Sequence, residues 1–547
     1  MQTSKLGRFF RGVMLVMFTL VAALAAAQTP MPELTHNGSK YQLLVDGQPY
    51  LMLSGQAHNS SASNPEDLKP VWDSMAAMHA NTVEIPIYWE LIEPQPGQFD
   101  FHTIDDIIQG ARSHNLRVVL LWFGTWKNGN MSYTPTWIKE NQTKYFRARD
   151  EMGQPIGVLS PFCTAAREAD ATAFVAVMRH IKSVDSSEHT VIMMQVENET
   201  GLYGTDRDYS PAANSAYQSS VPSKLMTYLE AHRGHLMPAL ELAWAASNDR
   251  QSGTWHEVFG DLAPEAFSAW YVSSYVDAVA AAGKQEYPLP MYCNNWLAGQ
   301  GVARAGDWPS GGPTIHVLDV WKAAAPHIDI LSPDIYAPEW LETAAAFHRP
   351  DNPLFVPETA FVPSYAAYAY ADFAEFNGLG FSPFGIDNGV ENGKLSPSGA
   401  ALAECYQVLQ PLLPLIEKYQ YTGKLFSAVQ GVDNADTVYL GHELAAIVSY
   451  APLYRFGPPA PAATGRMAPR AGGIIIELAP DDYIVAGSGF RLDFRNLTGP
   501  ERGPEFLSIE QGTFHGTEWA PERRLNGDEQ HVSLFRRPGI LRVKLLK

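Results

Sequence analysis

The sequence predicts an α/β protein: a (β/α)8 barrel of the TIM type followed by a smaller all-β, sandwich-like domain. Three observations predict it. Short apolar runs alternate with segments of helical spacing over most of the chain. Several of those runs stop abruptly at polar or aromatic residues, at the strand ends where parallel α/β folds bind ligands. From about Tyr421 onward the texture changes to short β-type runs between turns. The competing fold is an open, doubly wound sheet. It carries a Gly-rich phosphate loop after its first strand, and Ser54-Gly55-Gln56 is no such loop.

Taken in order, residues 1–27 read as a secretory signal. Lys5, Arg8 and Arg11 form a positive start, Val13 to Ala23 an apolar stretch, and Ala25-Ala26-Ala27 a small-residue cleavage site before Gln28. The apolar run is short for a membrane span, so export to the periplasm or medium is expected, with no membrane span after cleavage. Thr35 to Pro49 reads as a short opening hairpin. The eight predicted strands are Tyr50–Ala57, Thr82–Trp89, Arg117–Gly124, Val191–Val196, Leu289–Asn294, Ile328–Tyr336, Pro353–Glu358 and Leu379–Asp387. Helical spacing marks Pro70–His79, Ile104–Asn115, Ala171–Val184, Pro264–Ala282, Val317–Ala325 and Gly399–Tyr419. Long insertions follow the third and fourth strands. The Pro/Ala-rich stretch Pro458–Arg470 reads as a loop or linker. Domain limits fall at 28–420 for the barrel and 421–547 for the β domain.

Composition narrows the partners. A net charge of −19 argues against a nucleic-acid or anionic-membrane partner and suits a neutral substrate. The three cysteines, Cys163, Cys293 and Cys405, lie far apart with no C-x-x-C, so no zinc motif is present and all three are expected buried and reduced. No cofactor or metal is expected, and the oligomeric state is left open.

The chemistry is concentrated at two strand ends. The fourth strand runs from Val191 into Glu197-Asn198-Glu199, with Gly201 and Gly204 turning the chain. Two acids and an amide ending an apolar strand need a polar cavity or partners. The seventh strand ends at Glu358. Two glutamates at the ends of strands four and seven can face each other across one barrel mouth, and paired carboxylates are the working parts of most glycoside hydrolases. Strand alternation puts Glu197 and Glu199 on the same face, so spacing leaves the choice between them open.

These residues also carry a resemblance. Gln195-Val196-Glu197-Asn198-Glu199 followed by Gly201 is similar to the Gln-(Ile/Val)-Glu-Asn-Glu-Tyr-Gly segment of bacterial β-galactosidases of glycoside hydrolase family 35, with some features of family 42. Trp89 with Glu93-Pro94 and Pro96-Gly97-Gln98 resembles a second stretch of that family. The resemblance covers roughly residues 35–420. It implies that Glu199 is the acid/base, Glu358 the nucleophile and Glu197 structural. It also implies that Asn198 contacts the sugar 2-hydroxyl and Tyr336 hydrogen-bonds the nucleophile. The expected activity is an exported, retaining exo-β-galactosidase acting on plant-type side chains. The alternatives are a β-glucosidase, β-xylosidase or α-L-arabinosidase of the same clan, or a noncatalytic carbohydrate-binding protein. Where family 35 has Ala-Glu-Trp after strand three, this chain has Gly124-Thr125-Trp126-Lys127-Asn128-Gly129. Trp126 and Asn128 are named there as sugar contacts, and His58 and Trp296 are noted as further strand-end residues.

Overall fold

Eight parallel strands close into a barrel in strict chain order: Met52–Gln56 (β1), Thr82–Tyr88 (β2), Arg117–Lys127 (β3), Val191–Asn198 (β4), Met291–Trp296 (β5), Ile330–Ile335 (β6), Val356–Ala360 (β7) and Gly380–Phe384 (β8). β8 pairs back onto β1. The computed structural model describes residues 29–298, 304–431, 433, 435–450, 465–498, 503–535 and 537–546. The predicted secretory signal, 1–27, and the 458–464 part of the Pro/Ala-rich stretch lie outside the described residues.

The helices on the outside start and stop for local reasons. Pro65–Ala77 (α1) begins where the Asn64 side chain accepts the amides of Glu66 and Asp67 and Pro65 takes the first helical position. The sequence reading opened this helix five residues late, at Pro70, because Pro70 looks like a start and is in fact interior. His102–Ser113 (α2) buries Ile104, Ile107, Ile108 and Ala111 on one face. Thr164–Asp185 (α3) starts seven residues before the predicted Ala171, without a side-chain cap. Ala263–Glu286 (α4) opens with Pro264 inside its first turn and lies against α3 outside β4. Helical spacing predicts that Pro397–Leu409 (α5) runs on to Tyr419. Instead, with Pro411 and Pro414 in this stretch, it gives way to a 3-10 turn, and a separate helix covers Leu413–Tyr419. The insertion after β3 holds an antiparallel pair, Arg147–Arg149 with Pro155–Leu159.

Beyond the barrel stand two antiparallel sheets. One is six-stranded, from Leu425–Val429 to Gly539–Leu546; the other is four-stranded and centres on Leu444–Ser449 and Arg491–Asn496. Between them, Ile475, Val485, Leu492, Ile509 and Val543 form one core. The opposite face of the larger sheet puts Ile474, Ile476, Ile484 and Ala486 into the same apolar core as the barrel helices. Cys163, Cys293 and Cys405 are buried and unpaired. Among the described residues, no helix is long and apolar enough to cross a membrane.

Candidate active site

The site begins with a break in β4. Its residues through Asn198 are fully buried, but Glu197 and Glu199 have φ of +64° and +43°, left-handed values that non-glycine residues rarely adopt. Two such turns around Asn198 send the two glutamates in different directions. The Glu197 carboxylate accepts the Trp126 amide at 2.7 Å and hydrogen-bonds Asp170 of α3, with Tyr275 of α4 close by. Asp170 in turn accepts the Trp122 indole N–H at 2.9 Å and the Thr125 hydroxyl at 2.7 Å. Burial, then the Asp170 charge, pushes the Glu197 carboxyl well above the usual range, so this pair shares a proton between barrel and helices. The same-face expectation from alternation is therefore corrected: Glu197 fastens β4 to α3, and Glu199 turns into the mouth. Gly201, at φ +128°, follows where an added Cβ would lie 2.5 Å from the Pro309 carbonyl oxygen.

In the mouth, Glu199 accepts a hydrogen bond from the Asn128 side-chain amide. Asn198 Oδ1 accepts from Lys127 Nζ at 2.9 Å. On the far side, Glu358 Oε1 accepts from the Tyr336 hydroxyl at 2.5 Å. Beside Glu358 in the sheet register lies Asp334 of β6. Ligand oxygens of Glu199, Asp334 and Glu358 all fall within 4.8 Å of one another, and all three residues are buried. Asn294, on β5, joins two of these groups. Its Oδ1 accepts the Glu199 amide at 3.0 Å, and its Nδ2 donates to Asp334 Oδ2 at 2.7 Å.

Burial and the Glu358 charge raise Glu199 to about 7, while the Lys127 charge pulls the other way. Asp334 is pushed well above the carboxylate range by burial and by the charges of Glu358 and Glu199. One layer below, Glu84 of β2 accepts from the Tyr292 hydroxyl at 2.9 Å, and burial raises it to about 8. The three mouth carboxyls are close enough to hold a cation. However, each already accepts a hydrogen bond from Asn128, Asn294 or Tyr336, and the Lys127 charge acts on both Glu199 and Asp334.

The other singled-out residues divide. Trp126 is 1% exposed, gives its indole N–H to the Gly201 carbonyl at 3.0 Å and meets the Tyr275 ring edge-on, so its place is loop packing. His58 is held through Nδ1 by Asp387 at 2.8 Å. Trp296 stacks on Tyr203, which is half exposed at the rim. Trp89, Glu93 and Gly97 form a closed set: Glu93 accepts the Trp89 indole at 2.9 Å and the Gly97 amide at 2.7 Å. Sequence reasoning missed Lys127, Asn294 and Asp334. Asp334 was findable, because the predicted sixth strand runs to Tyr336 and alternation over two residues gives Asp334 the phase of Tyr336. A groove of about 640 Å³ opens beside Tyr336, lined by Leu297, Ile315, Pro338, Glu339 and Glu342.

Comparison with known proteins places the two halves differently. Residues 402–537 match a family described only as a domain of unknown function (DUF5597). Residues 42–263 match the model of glycosyl hydrolases family 35. A β-galactosidase of Xanthomonas manihotis is 30% identical over 221 residues, 39% of this chain and 34% of that protein. The mouse β-galactosidase is 26% identical over 183 residues, 31% of this chain and 25% of that protein. The chain thus spans about a third or less of the length of these relatives. A crystal structure of a β-galactosidase from Bacillus circulans sp. alkalophilus overlaps 67% of this chain and 57% of its own, at 14% identity and a TM-score of 0.45. The segment that is similar to glycosyl hydrolases family 35, residues 42–263, holds β1 to β4 and ends beyond Glu199.

Proposed function

We propose that the protein is a retaining exo-β-galactosidase working by double displacement. The observation that carries this reading is the spacing of Glu199 and Glu358, two buried carboxyls on strands four and seven with oxygens within 4.8 Å. Retaining glycosidases hold their two carboxyl groups about 5–5.5 Å apart, whereas inverting ones leave about 6.5–9.5 Å for a water. Glu358, oriented by the Tyr336 hydroxyl, attacks the anomeric carbon as a carboxylate. Glu199, raised to about 7, is half protonated near neutrality, where a donor to the leaving oxygen works best. It then accepts a proton from the incoming water as the glycosyl-enzyme is hydrolysed. Asn198, held by Lys127, keeps its Nδ2 without a partner among the described residues and is assigned to a sugar hydroxyl. The groove beside Tyr336 and the Tyr203–Trp296 rim suit the rest of a plant-type side chain. The reading includes export, carried by residues 5–27 and checked by N-terminal sequencing of the native protein, which should begin near Gln28.

One observation favours a second sugar. Thr125, which stands where the family usually has a galactose-binding glutamate, is fully buried and spends its hydroxyl on Asp170. A panel of nitrophenyl glycosides decides. The β-D-galactoside should be cleaved fastest, and a preference of about tenfold for a β-glucoside or α-L-arabinoside would transfer the assignment to another sugar of the clan.

Azide rescue tests the roles. Without Glu358 no glycosyl-enzyme forms, and azide entering the vacated face gives the inverted α-glycosyl azide. Without Glu199 a dinitrophenyl glycoside still glycosylates Glu358, because its leaving group needs no proton. Azide then attacks the intermediate and gives the retained β-azide. Glu358→Gln and Glu199→Gln should therefore yield opposite anomers by NMR. The reverse pairing would exchange the two roles, and full activity in both variants would end the reading.

A further inference from the structure

We propose that Asp334 is a positioning residue for Glu199, acting as a neutral carboxylic acid whose Oδ1–H is donated to the Glu199 carboxyl. The inference rests on the reading of Glu199 as the acid/base.

The argument starts from a donor whose identity is fixed. The Glu199 backbone N–H can only donate, so the Asn294 side-chain atom it meets at 3.0 Å is the oxygen. The other end of that amide is then the NH2 group, and it points at Asp334 Oδ2 at 2.7 Å. Oδ2 therefore accepts, and a proton on Asp334 resides on Oδ1. That atom is buried and meets no N–H or O–H donor among the described residues. What Asp334 does meet is the Glu199 carboxyl, with Glu358 beside both. Two carboxylates in hydrogen-bond contact repel, whereas a carboxylic acid and a carboxyl attract.

Charge balance points the same way. The titratable and charged groups facing Asp334 are Glu199 from the end of β4, Glu358 on β7, Lys127 on β3, Tyr336 beyond β6 and Tyr292 on β5. With protons on Glu199 and Asp334, the Glu358 carboxylate is matched by the Lys127 ammonium. Three carboxylates against one ammonium would leave two charges uncompensated in a buried site.

The proton inventory closes over the cycle. In the first step the Glu199 proton moves to the glycosidic oxygen, the C1–O bond breaks, and a bond forms between Glu358 and C1. Asp334 keeps its proton and hydrogen-bonds the Glu199 carboxylate just made. In the second step water gives a proton to Glu199, its oxygen bonds C1, and Glu358 leaves as a carboxylate. Asp334 begins and ends neutral, and Asn294 fixes its orientation throughout.

The test compares Asp334→Ala with Asp334→Asn on aryl and alkyl β-glycosides. Asp334→Ala should lower kcat/KM about tenfold or more, with a larger loss for alkyl leaving groups, which need the proton. Its alkaline limb should move to higher pH, because the Glu199 carboxylate has lost a donor. Asp334→Asn should recover most of that loss, since the amide oxygen can accept from Asn294 and the amide N–H can replace the carboxylic O–H. If the asparagine variant is as impaired as the alanine one, Asp334 acts as a carboxylate and the proposal fails. It fails also if Asp334→Ala keeps the wild-type pH profile. Infrared spectroscopy of the resting protein reads the proton without turnover: a protonated-carboxyl band at neutral pH should vanish in Asp334→Asn. An unchanged band overturns the proposal even if the protein is an active glycosidase. A lost band with no glycosidase activity in the wild type would instead fault the functional reading alone.

Discussion

Burial and the Glu358 charge raise Glu199, and Lys127 is the neighbour that works against them. The ammonium opposes the upward push of burial and of Glu358. Lys127→Met should therefore let Glu199 rise further, so that it stays protonated to higher pH. The alkaline limb of kcat/KM, near pH 7 in the parent, should move up by about half a unit to one unit, one unit being about 1.4 kcal/mol. The overall rate should drop, since Asn198 loses the donor that holds it. A limb that stays in place would mean that Lys127 does not reach Glu199 electrostatically. At this scale the sequence was legible where chemistry and position coincide: a carboxylate or tyrosine at the end of an apolar strand announces itself. Lys127 did not, because a lysine after a predicted strand end reads as solvated. β3 runs through it instead and leaves it 5% exposed. Trp126 misled for the opposite reason, since an aromatic beside a sugar site looks like a platform until its indole N–H is seen committed to Gly201.

At the scale of elements, the Glu197–Asp170 pair binds β3, β4, α3 and α4 at one point. Asp170→Ala would leave the Trp122 indole and the Thr125 hydroxyl without their acceptor and Glu197 without its partner. Loss of a buried polar network of this kind costs about 3–5 kcal/mol. The urea midpoint should fall accordingly with the slope of the transition unchanged; a loss below about 1 kcal/mol would show that the network contributes little. The order of strands and helices was legible because apolar runs and helical spacing alternate so regularly. Two things were not. The α1 start hid in Asn64-Pro65, a cap signal outweighed by the more conspicuous Pro70. The opposite facing of Glu197 and Glu199 could not be read from a period-two rule, because left-handed backbone at both residues suspends that rule.

For the molecule as a whole, the polar barrel interior predicts how stability follows pH. Glu84 stands at about 8 and Glu199 at about 7 in the folded protein, against ordinary values of 4.5. Raised values mean that the folded state holds protons which the unfolded chain has released. Their contribution is complete below about pH 4.5 and is lost as pH rises through 7 and 8, with a slope of at most about 1.4 kcal/mol per pH unit for each group. Thermal unfolding followed from pH 5.5 to 8.5 should show a falling midpoint, and a rising one would contradict these assignments. The second domain bears on the site in another way. Arg466 donates to the Tyr336 carbonyl at 3.2 Å and lies over the Tyr365 ring, whose hydroxyl reaches the same carbonyl at 2.9 Å. Ile474, Ile476 and Ile484 fill the flank of the barrel. The seam between barrel and sheet is therefore no place for recombination. A chimera that kept this barrel and exchanged the module behind it would have to bring a matching apolar face and a guanidinium in the place of Arg466, or inherit a barrel with one wall of the groove beside Tyr336 unsupported.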